Sequence, residues 1–182
     1  MTLSQNVSWN EIESLVTKLS ENILKLSRSF TSITTISRGG LIPSRLLSDI
    51  LGIKIILVDQ DVVSSDSLFV DDIFDTGTTF SNVFSTVNDP SKFVFATLFA
   101  RRGMNYPEQL LYAEKTFDDS YVVFPWDKLE YETSLSQSEL FSKDNQILDS
   151  IRKKMINSKN EYDIFKKKTG DSDLVFNARD SC

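Results

Sequence analysis

Histidine is absent from the 182 residues, and cysteine occurs once, at the last position, Cys182. Without histidine the chain lacks the commonest general base and metal ligand of neutral pH. Any bound metal must then take oxygen ligands, which favours Mg²⁺ over zinc. One cysteine cannot close an internal disulfide, so nothing points to an oxidising compartment, and at a terminus it reads as frayed chain rather than a working thiol. Basic residues are also in deficit: 20 Lys+Arg stand against 26 Asp+Glu, a net charge of -6. That balance argues against nucleic acid or an anionic membrane as a partner, and any anion site has to be local. Long apolar runs are missing, and the opening residues Met1 to Asn6 lack the basic and apolar regions of a signal peptide. A soluble, cytoplasmic protein is expected.

What is present suits one compact core. Hydrophobic residues make up 40% and charged residues 25%, ordinary globular values at a length typical of one domain. Ser8 is positioned to cap a helix to about Ser27, with Ile12, Leu15, Val16, Leu19 and Ile23 at helical spacing. Thr31–Ile36 reads as a strand. A helix opens near Pro43 and stops at Gly52. Ile53–Val58, Leu68–Val70, Phe93–Phe99 and Tyr121–Phe124 read as further strands, and Phe80–Val87 as a helix ended by Asn88-Asp89-Pro90. Unbroken apolar strands alternating with helices predict an α/β fold with a mostly parallel, twisted sheet covered on both faces. The composition shifts to Ser, Lys, Asn and Asp after Glu130. Residues 1–130 are therefore expected to form the domain and 131–182 an extension. Within the extension one helix is expected through Leu140, Ile147, Ile151 and Met155, then a weakly ordered tail from Ser158 with Leu174–Phe176 docking.

Ligands of open α/β sheets bind at the carboxyl ends of the strands, and three motifs fall there. Leu68-Phe69-Val70-Asp71-Asp72-Ile73-Phe74-Asp75-Thr76-Gly77-Thr78-Thr79 carries an apolar strand into two adjacent carboxylates and then a loop of small hydroxyl residues. Carboxylates accept hydrogen bonds from sugar hydroxyls. A Gly- and Thr-rich loop lets backbone N–H groups close on a phosphate. The order of parts fits a sugar phosphate. The second motif, Ser37-Arg38-Gly39-Gly40-Leu41-Ile42-Pro43, puts a fixed positive charge beside paired glycines that permit close approach and positive φ. A plain helix-capping turn would account for the glycines but not for Arg38. The third comprises Arg101-Arg102 and Tyr121 to Asp127.

The first motif resembles the phosphoribosyl pyrophosphate (PRPP) motif of type I phosphoribosyltransferases. With S-R-G-G-L-I-P and Val123-Phe124-Pro125-Trp126-Asp127, the stretch from Trp9 to Glu130 is similar to the xanthine/guanine branch and to short phosphoribosyltransferase-domain proteins of phages and microbes. The resemblance implies a Rossmann-like phosphoribosyltransferase fold, a homodimer, and Mg²⁺-dependent transfer of phosphoribose from PRPP to a purine base in nucleotide salvage. It implies that Asp71 and Asp72 hold the ribose hydroxyls directly or through Mg²⁺. Asp75, Thr76, Gly77, Thr78 and Thr79 would bind the 5′-phosphate, with Asp75 also accepting a proton near the purine N7. Ser37, Arg38 and Gly39 would grip the pyrophosphate, across a cis Ser37–Arg38 bond. Tyr121 would stack on the base, Asp127 would face its exocyclic region, and Arg101 would stand where the branch has a Lys donating to the 6-oxo group, with neighbouring Arg102 as the other candidate. Packing in the core is the other reading of Tyr121 and Trp126.

One departure is visible. Members of the family carry a long flexible hood between the second and third strands, whereas Asp59–Ser67 leaves only a short link. Lids exclude water and complete a catalytic set, so a PRPP- or nucleotide-binding regulatory module of the same fold is the rival reading.

Overall fold

The computed structural model describes residues 4–134 and Lys153. The chain divides into two units, Met1–Tyr131 and Glu132–Cys182, and the elements below belong to the first. The helix expected through Leu140 to Met155, the tail from Ser158 and the docking of Leu174–Phe176 lie outside the described residues.

Helix α1, Trp9–Leu24, begins where the capping pattern predicts: the Ser8 N–H donates to Glu11 Oε2 at 2.7 Å, and the Glu11 N–H donates back to Ser8 Oγ at 3.3 Å. It ends three residues early because the Leu26 N–H reaches the Ile23 carbonyl instead, tightening the turn so that Leu26 still packs on the core. Strands β2 (Ser32–Thr35), β3 (Ile56–Val58), β4 (Ser67–Phe74), β5 (Val94–Ala100) and β6 (Leu110–Lys115) form a sheet in the order β3-β2-β4-β5-β6. Every ladder in it is parallel. Helices α1 and α2 (Leu41–Leu51) cover one face, where Ile12, Val16, Leu19 and Leu47 meet Ile33, Leu68, Val70, Ala96 and Leu98. The opposite face carries α3 (Thr78–Phe84) over Phe69, Phe93 and Phe95, with Phe69 and Phe95 stacked at 5.0 Å. The predicted parallel sheet flanked by helices is the fold observed. No helix among the described residues is long and apolar enough to cross a membrane.

Four details differ from the sequence reading. Strand β4 does not stop at Val70 but runs to Phe74, since its ladder with β5 continues through Asp71↔Thr97, Ile73↔Phe99 and Phe74↔Ala100. The two carboxylates thus lie inside the strand and are buried: Asp71 is 5% and Asp72 8% exposed. Strand β6 escapes the sequence reading because an edge strand is only half-buried and shows no continuous apolar run. The segment Tyr121–Val123, β7, is not a strand of the main sheet. It pairs in parallel with β1 (Ser4–Asn6), through Ser4↔Tyr121 and Asn6↔Val123. Finally α3 starts at Thr78, directly after the loop, rather than at Phe80.

The link between β3 and β4 is short and anchored. Val63 is buried and bridged to Val87, and the Ser65 N–H donates to Asn88 Oδ1 at 2.8 Å.

Candidate active site

Strand β2 ends its pairing at Thr35↔Val70 while β4 continues on the β5 side alone. The overshoot leaves Asp71 and Asp72 beside the open end of β2, and the chain leaving β2 folds into that gap. There the Ser37–Arg38 peptide is cis. The glycines of this loop are required by proximity, not by positive φ: a Cβ on Gly39 would lie 2.5 Å from Asp72 Oδ2, and one on Gly40 would lie 2.1 Å from Thr35 Oγ1. The Arg-Gly-Gly loop and the acid pair, separate in sequence, are in contact. Asp59 holds the loop from behind, its Oδ1 accepting the Ser37 N–H at 2.8 Å, and this bond keeps the Asp59 carboxyl below its ordinary range. Arg38 itself extends outward and pairs with Glu130 at 2.8 Å, both side chains well exposed.

Burial raises both acids of the pair. The Asp71 carboxyl is pushed up to about 6 by desolvation, offset in part by the Asp72 N–H, which it accepts at 3.0 Å. Asp72 is pushed up to about 7, first by desolvation and then by the negative charges of Asp71 and Asp127; the Ile73 N–H and the Trp126 indole act in the other direction. Among the described residues no group of three or more Cys, Asp or Glu side chains forms a metal cage. Two oxygen donors at a strand end match instead a Mg²⁺ that keeps its remaining positions for waters and substrate oxygens.

Beyond β4, Asp75 to Thr79 turn into α3 through Gly77, whose φ of 81° is one that L side chains rarely adopt. Thr76 Oγ1 and Thr78 Oγ1 lie 2.9 Å apart. A cavity of about 170 Å³ is bounded by Asp71 to Phe80 and floored by Phe95. The acid pair and the phosphate-type loop therefore share one enclosure.

On the far side stand the residues expected to meet a base. Arg101 follows β5 and is only 12% exposed; its Nε donates to Asp75 Oδ1 at 2.7 Å, and its Nη1 to the carbonyls of Ser120 at 2.8 Å and Asp118 at 3.2 Å. Arg102 diverges into a separate depression with Gln5, Glu114, Lys115 and Phe117. The structure brings Arg101, and not Arg102, onto the Asp75–Thr79 loop. Tyr121 is half exposed and stacks on Tyr131 at 5.3 Å. Its hydroxyl is raised by burial and then by the negative charges of Asp127, Glu130, Asp72 and Asp75. Asp127 is raised by burial and by Glu130, with Arg38 acting in the opposite direction. Trp126 stacks on Phe124 at 4.9 Å, packed against the core. Sequence reasoning does not find Asp59 or Glu130, since each acts through a contact more than twenty residues away. A lone acid in a loop or on a helix carries no signal of that.

Known proteins resemble the chain in sequence and in fold. No family model matches the chain. It is 28% identical over 144 residues to the xanthine-guanine phosphoribosyltransferase of Gluconobacter oxydans, covering 66% of this chain and 83% of that one. The namesake enzyme of Chromohalobacter salexigens is 29% identical over 142 residues, 66% of this chain and 82% of the relative. Among solved structures, the xanthine-guanine-hypoxanthine phosphoribosyltransferase of Helicobacter pylori superposes with a TM-score of 0.60 at 18% identity, covering 72% of this chain and 99% of that one. In sequence the chain is similar to xanthine-guanine phosphoribosyltransferases, and in fold to purine phosphoribosyltransferases.

Proposed function

We propose that the protein transfers the phosphoribosyl group of PRPP to a 6-oxopurine, releasing pyrophosphate and a nucleoside monophosphate, in purine salvage. The observation that carries this reading is the contact between Gly39 and Asp72. It joins a loop suited to pyrophosphate to a pair of acids suited to ribose hydroxyls, on the rim of a cavity whose other wall is the Asp75–Thr79 loop. In the reaction the bond from the sugar C1 to the pyrophosphate oxygen breaks and a bond to a purine nitrogen forms. The sugar passes through an oxocarbenium-like state, so catalysis is mainly positioning and charge stabilisation.

Under this reading Asp71 and Asp72 orient the ribose hydroxyls and would hold Mg²⁺. Mg²⁺ carried with PRPP would neutralise the leaving pyrophosphate and favour the charged form of these two acids. Ser37, Arg38 and Gly39 receive the pyrophosphate, Arg38 exchanging Glu130 for it. Backbone N–H groups and hydroxyls of Thr76, Gly77, Thr78 and Thr79 hold the 5′-phosphate. Asp75 takes the purine proton, steadied by Arg101. Tyr121 stacks on the base, Asp127 faces its exocyclic edge, and the Arg101 guanidinium reaches the 6-oxo group. Partners are then PRPP and a purine, with no nucleic acid or membrane, and the working form is a cytoplasmic homodimer.

The test is incubation of the folded protein with PRPP, Mg²⁺ and xanthine, guanine or hypoxanthine in turn, followed by chromatography. A nucleoside monophosphate from at least one base is expected. PRPP binding without nucleotide from any of them would overturn the reading.

A further inference from the structure

Two of the side chains assigned to substrate have partners within the chain, and both partners come from one turn of helix. Arg38 pairs with Glu130 at 2.8 Å. Tyr121 stacks on Tyr131, with 5.3 Å between ring centroids and 9° between planes. Glu130 and Tyr131 are consecutive, and the Tyr131 N–H donates to the Asp127 carbonyl at 3.0 Å, so the turn begins directly after Asp127. Each partner matches in chemistry what the proposed reaction brings to the same place. A carboxylate meets the guanidinium as a pyrophosphate oxygen would, and a flat ring covers one face of Tyr121 as a purine would. Burial does little to hold the turn: none of residues 128–131 is buried, and Leu129 is 79% exposed. Segments with so little buried surface open at low cost. An exposed ion pair and a single aromatic stack are each weak enough for a ligand to displace.

We propose that Glu130 and Tyr131 are an internal substitute for substrate, Glu130 standing in for pyrophosphate on Arg38 and Tyr131 for the purine on Tyr121. One movement of the turn that carries them clears both places. The inference rests on the phosphoribosyl-transfer reading for what displaces them. A site that is competent for only part of the time binds its ligand more weakly by that fraction, so removing either stand-in should raise affinity. A contact that only supports the fold would do the opposite.

Calorimetry with PRPP and Mg²⁺, and separately with guanosine monophosphate, reads the two places without turnover. Glu130→Gln should tighten PRPP binding about two- to fivefold. The gain should vanish when Arg38→Ala is already present, which separates release of Arg38 from the plain loss of one negative charge. Tyr131→Ala should tighten guanosine monophosphate about two- to tenfold. Unchanged or weaker PRPP binding by Glu130→Gln, or a gain that survives Arg38→Ala, would overturn the inference. That comparison stands even where Tyr131→Ala fails to fold, since the Glu130 side chain is exposed. Weaker nucleotide binding by Tyr131→Ala would make Tyr131 a wall of the base site and overturn its part. Should the unsubstituted protein bind neither compound, the proposed activity fails and the inference with it, whereas binding with the same constants in every variant removes the stand-in alone.

Discussion

Arg101 illustrates how a guanidinium wires a site differently from a lysine. A lysine offers a point charge on a flexible stem, whereas a guanidinium offers donors in a fixed fork. Here Nε is committed to Asp75 and Nη1 to the carbonyls of Asp118 and Ser120, so one side chain ties the phosphate loop to the segment leading into Tyr121. Among the described residues no hydrogen bond from Nη2 to a protein acceptor is formed, and under the proposed function that donor meets the 6-oxo group. Hydrogen bonds from charged donors are worth about 1.5–3 kcal/mol, so Arg101→Ala should lower kcat/KM for a 6-oxopurine roughly ten- to a hundredfold at saturating PRPP. Arg102→Ala should leave it nearly unchanged, because that side chain lies in a different depression. Steady-state kinetics with the base varied decides between them, and equal losses would mean that the base does not approach Arg101.

At the scale of elements, β4 matters most. A strand that carries two acids into a buried position works against its own stability, and the direction can be read from titration. The folded pKa of Asp72, about 7, stands above its ordinary 3.8. Near pH 4 and below, little is at stake. As pH rises from there the unfolded chain ionises first while the native strand keeps its proton, so the penalty grows until about pH 7 and is complete above it. Each pKa unit corresponds to about 1.4 kcal/mol, so Asp72→Asn should stabilise the fold by on the order of a few kcal/mol at pH 8 and far less at pH 4. Thermal unfolding of both proteins across that range checks it; a difference in Tm that stays constant with pH would contradict the burial argument. The same strand shows what is legible in sequence. The β-branched run around Ile33 and the continuous apolar segments around Val70 and Phe95 announce a buried parallel sheet, and the D-D-x-x-D-T-G-T-T order announces the candidate site. How far β4 extends does not show, because Asp is a poor strand former and only the ladder to β5 holds it there. The polar residues Ser4–Asn6 have no periodicity of their own and become a strand solely because β7 lies alongside.

At the scale of the whole molecule, a net charge of -6 repels a polyanion at long range, so under the proposed function capture of PRPP relies on contacts within about a Debye length, roughly 8–10 Å at physiological salt. Arg38 and Arg101 stand at this edge of the sheet, and each already has a carboxylate partner, Glu130 and Asp75 respectively. The anchored link after β3 bears on fidelity. With Val63 bridged to Val87 and Ser65 held by Asn88, that segment is not free to close over an electrophilic sugar, and water has the same line of approach as the purine. The quantity that exposes this is a yield, nucleotide formed per PRPP consumed. It should fall well below one when the base is scarce and recover as the base saturates, and a yield of one at every base concentration would mean that some other part of the molecule keeps the solvent out.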